Sequence, residues 1–322
     1  MYSVNEWGKL REVVVGVADY ANIPPIDISM RTVNYADVDE VEHIHQKVGA
    51  YPEQVIQEAN EDLDNFVNII TDMGVKVNRP RREPTPYYNY CPRDLVFVHG
   101  NRAIATPMSI QARHNNYTSI VDCFETLQVA PRYLDSDLYN VNCVGDKDQL
   151  ALTEVAPSFD AANVIRANDD LLYLVSNSGN KAGADYLREQ FPDLRVHLLE
   201  NTYSYMHIDS TVAFLREGLV LLNPSRVNDV KKLPKPFSNW DAIYCAEPVD
   251  IGYHGDYCNA SPWINMNLLS LDEHTVVLEE NQHPLRSQLE AYGIECIMLP
   301  IRHQRTLGGG WHCVTCDTVR DA

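Results

Sequence analysis

Positive charge and long apolar runs are both scarce in this chain of 322 residues. It carries 26 Lys and Arg against 45 Asp and Glu, a formal charge of −19, and so acidic a chain would repel a phosphate backbone. We therefore expect no general binding to nucleic acid. No stretch reaches the ~18 apolar residues of a membrane span, so we expect no membrane partner. The opening residues, MYSVNEW, lack the basic and apolar regions of a signal peptide.

Cysteines are too few for a disulfide scaffold. Eight Cys are spread over 322 residues, which favours a reducing compartment and predicts a cytoplasmic protein. Cys313 and Cys316 have the C-x-x-C spacing of a redox motif or of half a zinc site. A zinc site would need a second pair at similar spacing, and the sequence has none. We predict neither a metal nor another cofactor.

Short apolar runs joined by tight turns predict a fold built from hairpins. Turns near residues 100, 217 and 273 each join two such runs. The last two turns lie 56 residues apart, and the first lies 117 residues before the second, roughly two such periods. A repeat of ~50 residues favours an array that closes on itself over a doubly wound sheet. An ordinary α+β domain is the alternative at this point.

Helical periodicity appears between the hairpins. Apolar residues recur every three or four positions over 53–73, and Gly74 supplies a stop signal. Segments 182–191 and 284–292 are also predicted as helices, and a strand follows each of the three. No Gly/Ser-rich or Pro-rich linker divides the chain, so we predict a single domain over 1–322. The residues that define the apolar face of the first helix are Ile56, Ala59, Leu63, Phe66, Ile70 and Met73.

Residues 308–317, which read GGGWHCVTCD, are the most informative segment. Three consecutive glycines let the backbone approach a ligand closely. A cysteine directly after them suits a nucleophile, whose reactive form is the thiolate. A nucleophilic Cys313, a redox pair with Cys316 and a structural role are the alternatives that this segment leaves open.

A nucleophilic cysteine requires a histidine nearby in space. His312 is adjacent in sequence, but neighbouring side chains often diverge. His207 is separated by one residue from Asp209, and this spacing places both side chains on one face of an extended segment. That arrangement suits an acid–base histidine and a carboxylate directed at one ligand.

Two further acids and one arginine complete a set with a chemical meaning. Asp160 and Asp94 lie in apolar surroundings, and Arg226 directly follows a hairpin strand. Each alone is more often a cap, a turn residue or a surface charge. Together, a Cys, a His, three Asp and an Arg are what an arginine-like substrate requires, because an arginine fork binds a substrate carboxylate and carboxylates bind a guanidinium.

At these residues the chain resembles the amidinotransferase family, and in particular the arginine:glycine amidinotransferases. The resemblance covers almost the whole chain, and its strength lies in the order and number of motifs. The matching segments are NEWGKLREVVVG (5–16), PRD (92–94), TPM (106–108), FDAA (159–162), IR (165–166), MHID (206–209), LLNP with Arg226 (221–226), Trp263 with NMN (265–267) and LGGGWHCVTCD (307–317).

The resemblance implies an α/β fold, a five-bladed pseudo-symmetric propeller built from ββαβ units. It also implies that Cys313 is the nucleophile that becomes the amidino-cysteine, with His207 as general acid and base and Asp160 as its carboxylate partner. The remaining implied contacts hold arginine: Asp94 and Asp209 on the guanidinium, Arg226 on the carboxylate, and Ser261 with the backbone of Ala260 lining the site.

The implied reaction transfers the amidino group of L-arginine to an amine. Glycine is the acceptor we expect, giving guanidinoacetate and L-ornithine in a ping-pong sequence. The chain departs from the family at Asn163, where an acid is usual, and at Ser204 and Tyr205, where glycine-using members often carry Asn-Pro. We therefore expect Ser204, Tyr205 and Met206 to border the acceptor or its access path.

Several alternatives accompany this assignment. Another amine such as lysine is an alternative acceptor, and a deiminase-type enzyme would hydrolyse the same intermediate. A non-catalytic arginine-binding protein and a C-x-x-C redox protein are alternatives from other classes. The expected partners are small-molecule substrates, L-arginine and an amine, and the resemblance is compatible with a homodimer.

Overall fold

Short strands make up most of the regular structure. The computed structural model describes residues 1–33, 48–133, 136–146, 149–203 and 205–322. Within these ranges no helix is both long and apolar enough to cross a bilayer. The strands are β1 (Leu10–Val15), β2 (Asn22–Ile23), β3 (Gly49–Ala50), β4 (Lys76–Asn78), β5 (Val96–His99), β6 (Arg102–Ala105), β7 (Gln128–Val129), β8 (Val164–Ala167), β9 (Asp170–Leu174), β10 (Arg195–Leu199), β11 (Val212–Arg216), β12 (Leu219–Leu222), β13 (Asp241–Tyr244), β14 (Leu269–Asp272), β15 (Thr275–Glu279), β16 (Glu295–Leu299) and β17 (Thr315–Arg320). The α-helices are α1 (Ile28–Val33), α2 (Glu53–Asp72), α3 (Lys181–Gln190), α4 (His283–Ala291) and α5 (Gln304–Leu307).

The described strands form five three-stranded sheets and one two-stranded ribbon, β2-β3. In four of the sheets a hairpin of two antiparallel strands is followed by a third strand parallel to the second. The hairpins predicted near 100, 217 and 273 are β5-β6, β11-β12 and β14-β15, and these predictions are confirmed. The sheets are β17-β1-β4, β5-β6-β7, β8-β9-β10, β11-β12-β13 and β14-β15-β16.

Helices connect the second and third strands in only three of these five sheets. Helices α2, α3 and α4 fill this place, at the positions predicted from periodicity. The crossovers from β6 to β7 and from β12 to β13 contain short 3-10 turns instead. The second of them carries Pro224, Pro234 and Pro236, and prolines remove backbone donors that a helix needs. The ββαβ unit with a helix before its last strand is therefore present in three of the five sheets and not in the other two.

Helix α2 packs its apolar face toward the segment that carries Cys313. Val55, at the start of that face, is buried, whereas Ile56 is only partly buried. Met73 lies one residue beyond the helix and is 49% exposed, so its assignment to the apolar face was wrong. Phe66 packs at a tilt against Trp311, two residues before Cys313, with 4.7 Å between the ring centroids.

The two ends of the described chain meet in one sheet. Strand β17 pairs antiparallel with β1, so that Val15 lies opposite Thr315. The segment before β1 adds bridges from Ser3 to Gly100 and from Asn5 to Ala167, in two other sheets. These contacts link the sheet of the chain ends to its neighbours.

A buried group of charges accompanies these bridges. Arg166 donates to Glu6 and to Asp317, Arg93 donates to Asp317, and Arg320 donates both to Asp317 and to the backbone of Ser270 in β14. Buried ions are tolerated only when they are paired and hydrogen-bonded, and loss of one partner costs about 3–5 kcal/mol. The group therefore holds β8, β14, β17 and the chain start in one relative arrangement.

Candidate active site

The glycine-rich segment places the nucleophile candidate by close packing. Helix α5 ends at Leu307, and the following Gly308 has a left-handed φ of 78°. A Cβ on Gly309 would lie 2.5 Å from the Sγ of Cys91, and one on Gly310 would lie 2.7 Å from the Cβ of Asn267. The glycines thus permit close approach to neighbouring residues, and Cys313 follows them at 3% exposure.

One amide fixes the backbone of this turn. The Oδ1 of Asn267 accepts hydrogen bonds from the backbone N–H groups of His312 and Cys313, each at 3.0 Å. Asn267 is buried, so these bonds are not exchanged readily for bonds to water. The position of the Cys313 side chain therefore depends on a residue 46 positions earlier in the chain.

The Cys313 thiol faces acidic and neutral partners. Its Sγ donates to Oδ2 of Asp209 at 3.2 Å. A hydrogen bond with Cys91, burial, and the charges of Asp209 and Asp94 raise the pKa of the Cys313 thiol well above its ordinary value. The thiol is thus protonated at neutral pH before a substrate arrives.

His207 lies between two carboxylates. Its Nε2 is 2.9 Å from Oδ2 of Asp160, and its Nδ1 is 3.5 Å from Oδ1 of Asp94. Burial by itself would lower the pKa of His207, but the charge of Asp94 and the hydrogen bond to Asp160 outweigh it and raise the pKa to about 9. His207 is therefore a cation at neutral pH and can donate a proton.

Asp209 connects the thiol to a second histidine. Its Oδ2 lies 3.1 Å from Nδ1 of His312 as well as 3.2 Å from the Cys313 Sγ. Burial would raise the pKa of Asp209, but the hydrogen bond and charge of His312 lower it to about 2. The segment 208–210 is a 3-10 turn, not the extended segment assumed for the His-x-Asp spacing, so His207 and Asp209 reach different partners.

Two buried carboxylate oxygens of this cluster, Oδ1 of Asp94 and Oδ1 of Asp160, form no hydrogen bond among the described residues. Oδ1 of Asp94 lies 3.5 Å from Nδ1 of His207, which is an ion pair and not a hydrogen bond. Buried oxygens without hydrogen bonds are costly unless a ligand satisfies them. Beside a thiol, they form a site suited to a planar cation that donates several N–H groups.

Comparison with known proteins gives close matches over the full length. The chain is 39% identical to inosamine-phosphate amidinotransferase 1 of Streptomyces griseus, over 99% of this chain and 96% of that protein. It is 32% identical to the mitochondrial glycine amidinotransferase of Xenopus tropicalis, over 99% of this chain and 82% of that protein. A solved structure of the Streptomyces griseus inosamine-phosphate enzyme superposes with a TM-score of 0.93 at 38% identity, covering 100% of this chain and 97% of the other.

The chain belongs to the amidinotransferase family. The resemblance stated from the motifs is thereby confirmed, and amidino transfer is the activity that the matches support. No profile of a protein family matches the chain. The structural match also supports the α/β fold expected for the family.

In this amidinotransferase Arg226, the residue expected at the arginine carboxylate, is held by the two residues that follow Asp209 in the chain. Arg226 donates from Nη1 to Ser210 and Thr211, and its guanidinium lies 3.5 Å from the ring centre of Tyr203. No carboxylate of the described residues lies within ion-pair distance of it. Arg226 therefore retains donors for an anionic group of a substrate.

Ala260 and Ser261 lie on the segment that precedes a 3-10 turn at 262–266. The backbone oxygen of Ala260 accepts a hydrogen bond from Nε of Arg305 at 2.9 Å, which attaches this segment to α5. Ala260 packs against the core cluster that contains Cys313, whereas Ser261 is exposed. Their contact with arginine stays a prediction.

Of the three residues expected at the acceptor, two are described. Met206 packs against the same core cluster as Cys313, and its backbone oxygen accepts from Oγ of Ser176. Tyr205 lies 5.5 Å, between ring centroids, from Tyr203. Ser204 lies outside the described residues. Tyr203 thus adjoins both Tyr205 and Arg226.

Sequence reasoning missed one buried arginine. Nη1 of Arg113 lies 2.5 Å from Oδ2 of Asp94, and Nη2 donates to the backbone oxygen of Cys91. Its guanidinium also lies 5.2 Å from the ring centre of Tyr88. Arg113 thus occupies Oδ2 of Asp94, and the other oxygen, Oδ1, faces His207. No local motif marks Arg113, because it lies 19 residues from Asp94 in a short 3-10 turn.

The expected divergence of the His312 and Cys313 side chains is not observed, because residues 311–314 form a turn and not an extended segment. His312 and Cys313 consequently contact the same oxygen of Asp209. The other cysteine of the C-x-x-C pair, Cys316, lies on β17, where its Sγ is 3.7 Å from the backbone oxygen of Val96.

The departure at Asn163 has a structural explanation. Its amide donates to the backbone oxygen of Leu174 and to Oγ of Ser176, and its oxygen accepts from Oγ of Ser178. Asn163 is fully buried, and the described contacts satisfy both ends of its amide. It supports the turn behind Asp160 without facing the thiol cluster.

Proposed function

We propose that this amidinotransferase takes its amidino group from L-arginine through a covalent intermediate on Cys313. The observation that carries the proposal is the pair of buried oxygens on Asp94 and Asp160 that lack hydrogen bonds, in the cluster that contains the buried thiol. A guanidinium is planar, cationic and rich in N–H donors, so it would satisfy both oxygens while presenting its carbon to sulfur. Arg226 supplies a guanidinium for the substrate carboxylate.

The protonation states support this order of events. The Cys313 thiol is neutral in the empty site, and a bound guanidinium cation would favour its ionisation, with the proton released to solvent because His207 is already protonated. The thiolate attacks the guanidinium carbon, and His207, a cation at neutral pH, protonates the departing ornithine amine. An amidino-thioether remains on Cys313, and neutral His207 then accepts the proton of the incoming amine. This sequence predicts ping-pong kinetics.

For the acceptor we favour an aminocyclitol phosphate over glycine. The relatives named for inosamine phosphate are 36–39% identical to the chain, against 32% for the glycine amidinotransferase described above. The chain also lacks, at Ser204 and Tyr205, the Asn-Pro pair that many glycine-using members carry. Glycine, the acceptor expected from the motifs, stays the second candidate because the glycine enzymes match over 99% of this chain.

A panel of amines with arginine as donor tests this choice. The guanidino product of each amine is identified by mass spectrometry, with an inosamine phosphate, its dephosphorylated form, glycine and lysine as the arms. We expect the highest kcat/KM for the phosphorylated amine. A higher kcat/KM for glycine would reverse the ranking, and loss of preference on dephosphorylation would show that the phosphate is recognised.

Two control measurements distinguish amidino transfer from hydrolysis by a deiminase-type enzyme and from a redox function. Arginine alone should give at most slow release of urea, from hydrolysis of the amidino-cysteine after ornithine leaves, whereas a deiminase-type enzyme would expel ammonia and release citrulline without ornithine. Cys313→Ala should abolish both transfer and the labelled enzyme formed from labelled arginine, and Cys316→Ser should have a mild effect. Substantial transfer by Cys313→Ala would refute the covalent route, and loss of activity in Cys316→Ser would favour a redox protein.

We also infer that the five sheets are the blades of a closed ring that forms a single domain over 1–322. The pairing of β17 with β1 and the charges shared by β8, β14 and β17 support closure. Such a domain should have a radius of gyration of about 20 Å as a monomer. Scattering and sedimentation would distinguish this from a looser chain and from a homodimer of twice 36.6 kDa. A cytoplasmic location stays a prediction.

A further inference from the structure

His312 lies between two buried carboxylates. Its Nδ1 is 3.1 Å from Oδ2 of Asp209, and its Nε2 is 3.5 Å from Oε2 of Glu6. An ionised carboxylate only accepts hydrogen bonds, so a histidine that faces one at each nitrogen donates to both only as the imidazolium cation. The arrangement on both sides of the ring thus favours the cation.

Glu6 is itself held as an anion. Burial would raise the pKa of Glu6, but the adjacent Arg166 charge outweighs it and holds the pKa well below its usual range. Arg166 donates to both oxygens of Glu6, from Nε at 2.8 Å and from Nη2 at 3.0 Å. Arg93 lies 3.8 Å from Oε2, and Asp317 is the second carboxylate that faces the same arginines. Glu6 therefore neither titrates near neutral pH nor turns away.

Apolar side chains border the His312 ring beside a small cavity. The cavity of about 20 Å³ is lined by Glu6, Asp209 and apolar side chains that include Phe214 and Leu268. Apolar contacts do not distinguish the two ring nitrogens, so polar partners set the orientation of the ring. Glu6 and Asp209, at opposite nitrogens, are those partners.

We propose that Glu6 is a positioning residue for amidino transfer: it fixes His312 as a cation, which in turn holds the Asp209 carboxylate beside the Cys313 thiol. The Oδ2 of Asp209 accepts from both His312 and Cys313. The cation offsets a carboxylate charge that would otherwise oppose ionisation of the thiol. This proposal rests on Cys313 as the nucleophile and is independent of the acceptor.

The other ionisable groups around the thiol are left unchanged by a substitution at Glu6. They are Cys91, Asp94 and His207, which act on Cys313 from the other sides. A change in the ionisation of Cys313 in a Glu6 variant therefore reports on the path through His312 and Asp209.

The first test is Glu6→Gln, with alkylation of Cys313 by iodoacetamide in the absence of arginine. The rate at Cys313 is read by peptide mass spectrometry across a range of pH. We expect the profile to move to higher pH by about one unit, which is about tenfold slower alkylation at a fixed pH. Ser3→Ala is the matched control, because Ser3 contacts Asp317 and Arg166 but not His312, and it should keep the wild-type profile. An unmoved profile in Glu6→Gln overturns the proposal.

A double-mutant cycle distinguishes positioning from general stability. In a His312→Asn background, Glu6→Gln should add no further change in alkylation or in kcat, because its route of action is already lost. Additive effects would show that Glu6 acts on the fold and not through His312, and would overturn the proposal.

A measurement on the unaltered protein covers the case in which Glu6→Gln fails to fold. With ¹⁵N-labelled histidine, the His312 ring is assigned by its absence in His312→Asn. We expect both ring nitrogens to carry protons at neutral pH, and a single neutral tautomer would refute the proposal. The alkylation and the ring-protonation measurements require neither arginine nor an acceptor. A result against the role of Glu6 is therefore distinguishable from a result against the proposed transfer reaction.

Discussion

Replacement of Asp160 by Asn should weaken the acid function of His207 by a calculable amount. The variant removes a carboxylate that lies 2.9 Å from Nε2 and leaves a side chain of the same size. A pKa raised from 6.5 to about 9 corresponds to about 3 kcal/mol of preference for the imidazolium. Asp94 contributes the largest favourable part, and Asp160 adds a hydrogen bond and its charge. We assign about half of the shift in the His207 pKa to Asp160, so the Asn variant should lower this pKa by about one unit.

The assay is the pH dependence of the first half-reaction, followed as ornithine released in one turnover. In the wild type, His207 must be protonated to serve as the acid, so the rate should fall as pH rises through about 9. In Asp160→Asn this falling limb should lie about one unit lower. Asp169→Asn is the matched control, since Asp169 is an exposed acid on the following turn and its loss should leave the limb in place.

The pH dependence of the free energy of unfolding is a second measure of the His207 pKa. A raised pKa in the folded state means that the contribution of His207 is fully present below pH 6.5 and is lost as pH rises through about 9. The free energy of unfolding of the wild type should therefore decline more steeply over this interval than that of Asp160→Asn. If the falling limb and the stability curve of Asp160→Asn both coincide with those of Asp169→Asn, the assignment of His207 and Asp160 as a pair is refuted.

Three further variants test other contacts of the site. Asn267→Ala removes the acceptor of two buried N–H groups in the nucleophile turn and should lower the free energy of unfolding by about 1–3 kcal/mol, as measured by denaturant titration; unchanged stability would contradict this role. Gly309→Ala places a Cβ 2.5 Å from the Sγ of Cys91 and should destabilise by about 1–3 kcal/mol, with partial recovery in the double variant with Cys91→Ala; equal loss in both would locate the strain elsewhere. Arg226→Gln should raise KM for arginine more than it lowers kcat, because it removes binding of the carboxylate, and the opposite split would exclude that role.

The local parts of the fold were predictable from the sequence. Hairpins and the periodic helix α2 depend on neighbouring residues, and their positions agree to within a few residues. The crossover from β6 to β7 was not predictable, because its 3-10 turns leave no strong period. The pairing of β17 with β1 was likewise hidden, since no local spacing records a contact between strands at opposite ends of the chain.

The residues of the candidate site were likewise predictable only where a local sequence pattern marks them. Cys313 and His207 were visible because each lies in a distinctive local pattern, a glycine run and a His-x-Asp spacing. Arg113 was not, because its partner lies 19 residues away in the chain, and Asn267 was matched only within the NMN motif, with no sign of its bonds to a turn 46 residues later. Glu6 was matched only as part of the opening motif, and its contact with His312 depends on closure of the whole arrangement. The sequence therefore did not reveal the polar residues that contact the catalytic side chains or their neighbours from distant parts of the chain.

The pairing of β17 with β1 bears on how the protein is made. During translation β1 leaves the ribosome about 300 residues before its antiparallel partner. At about 5–20 residues per second this delay is roughly 15–60 s. The hairpin sheets can form in that interval, but the strand that follows Cys313 is still missing, and one edge of β1 stays unpaired. The nascent chain should therefore carry no reactive active site until Cys313 and β17 are synthesised, and until then β1 presents an exposed edge that can pair with another chain.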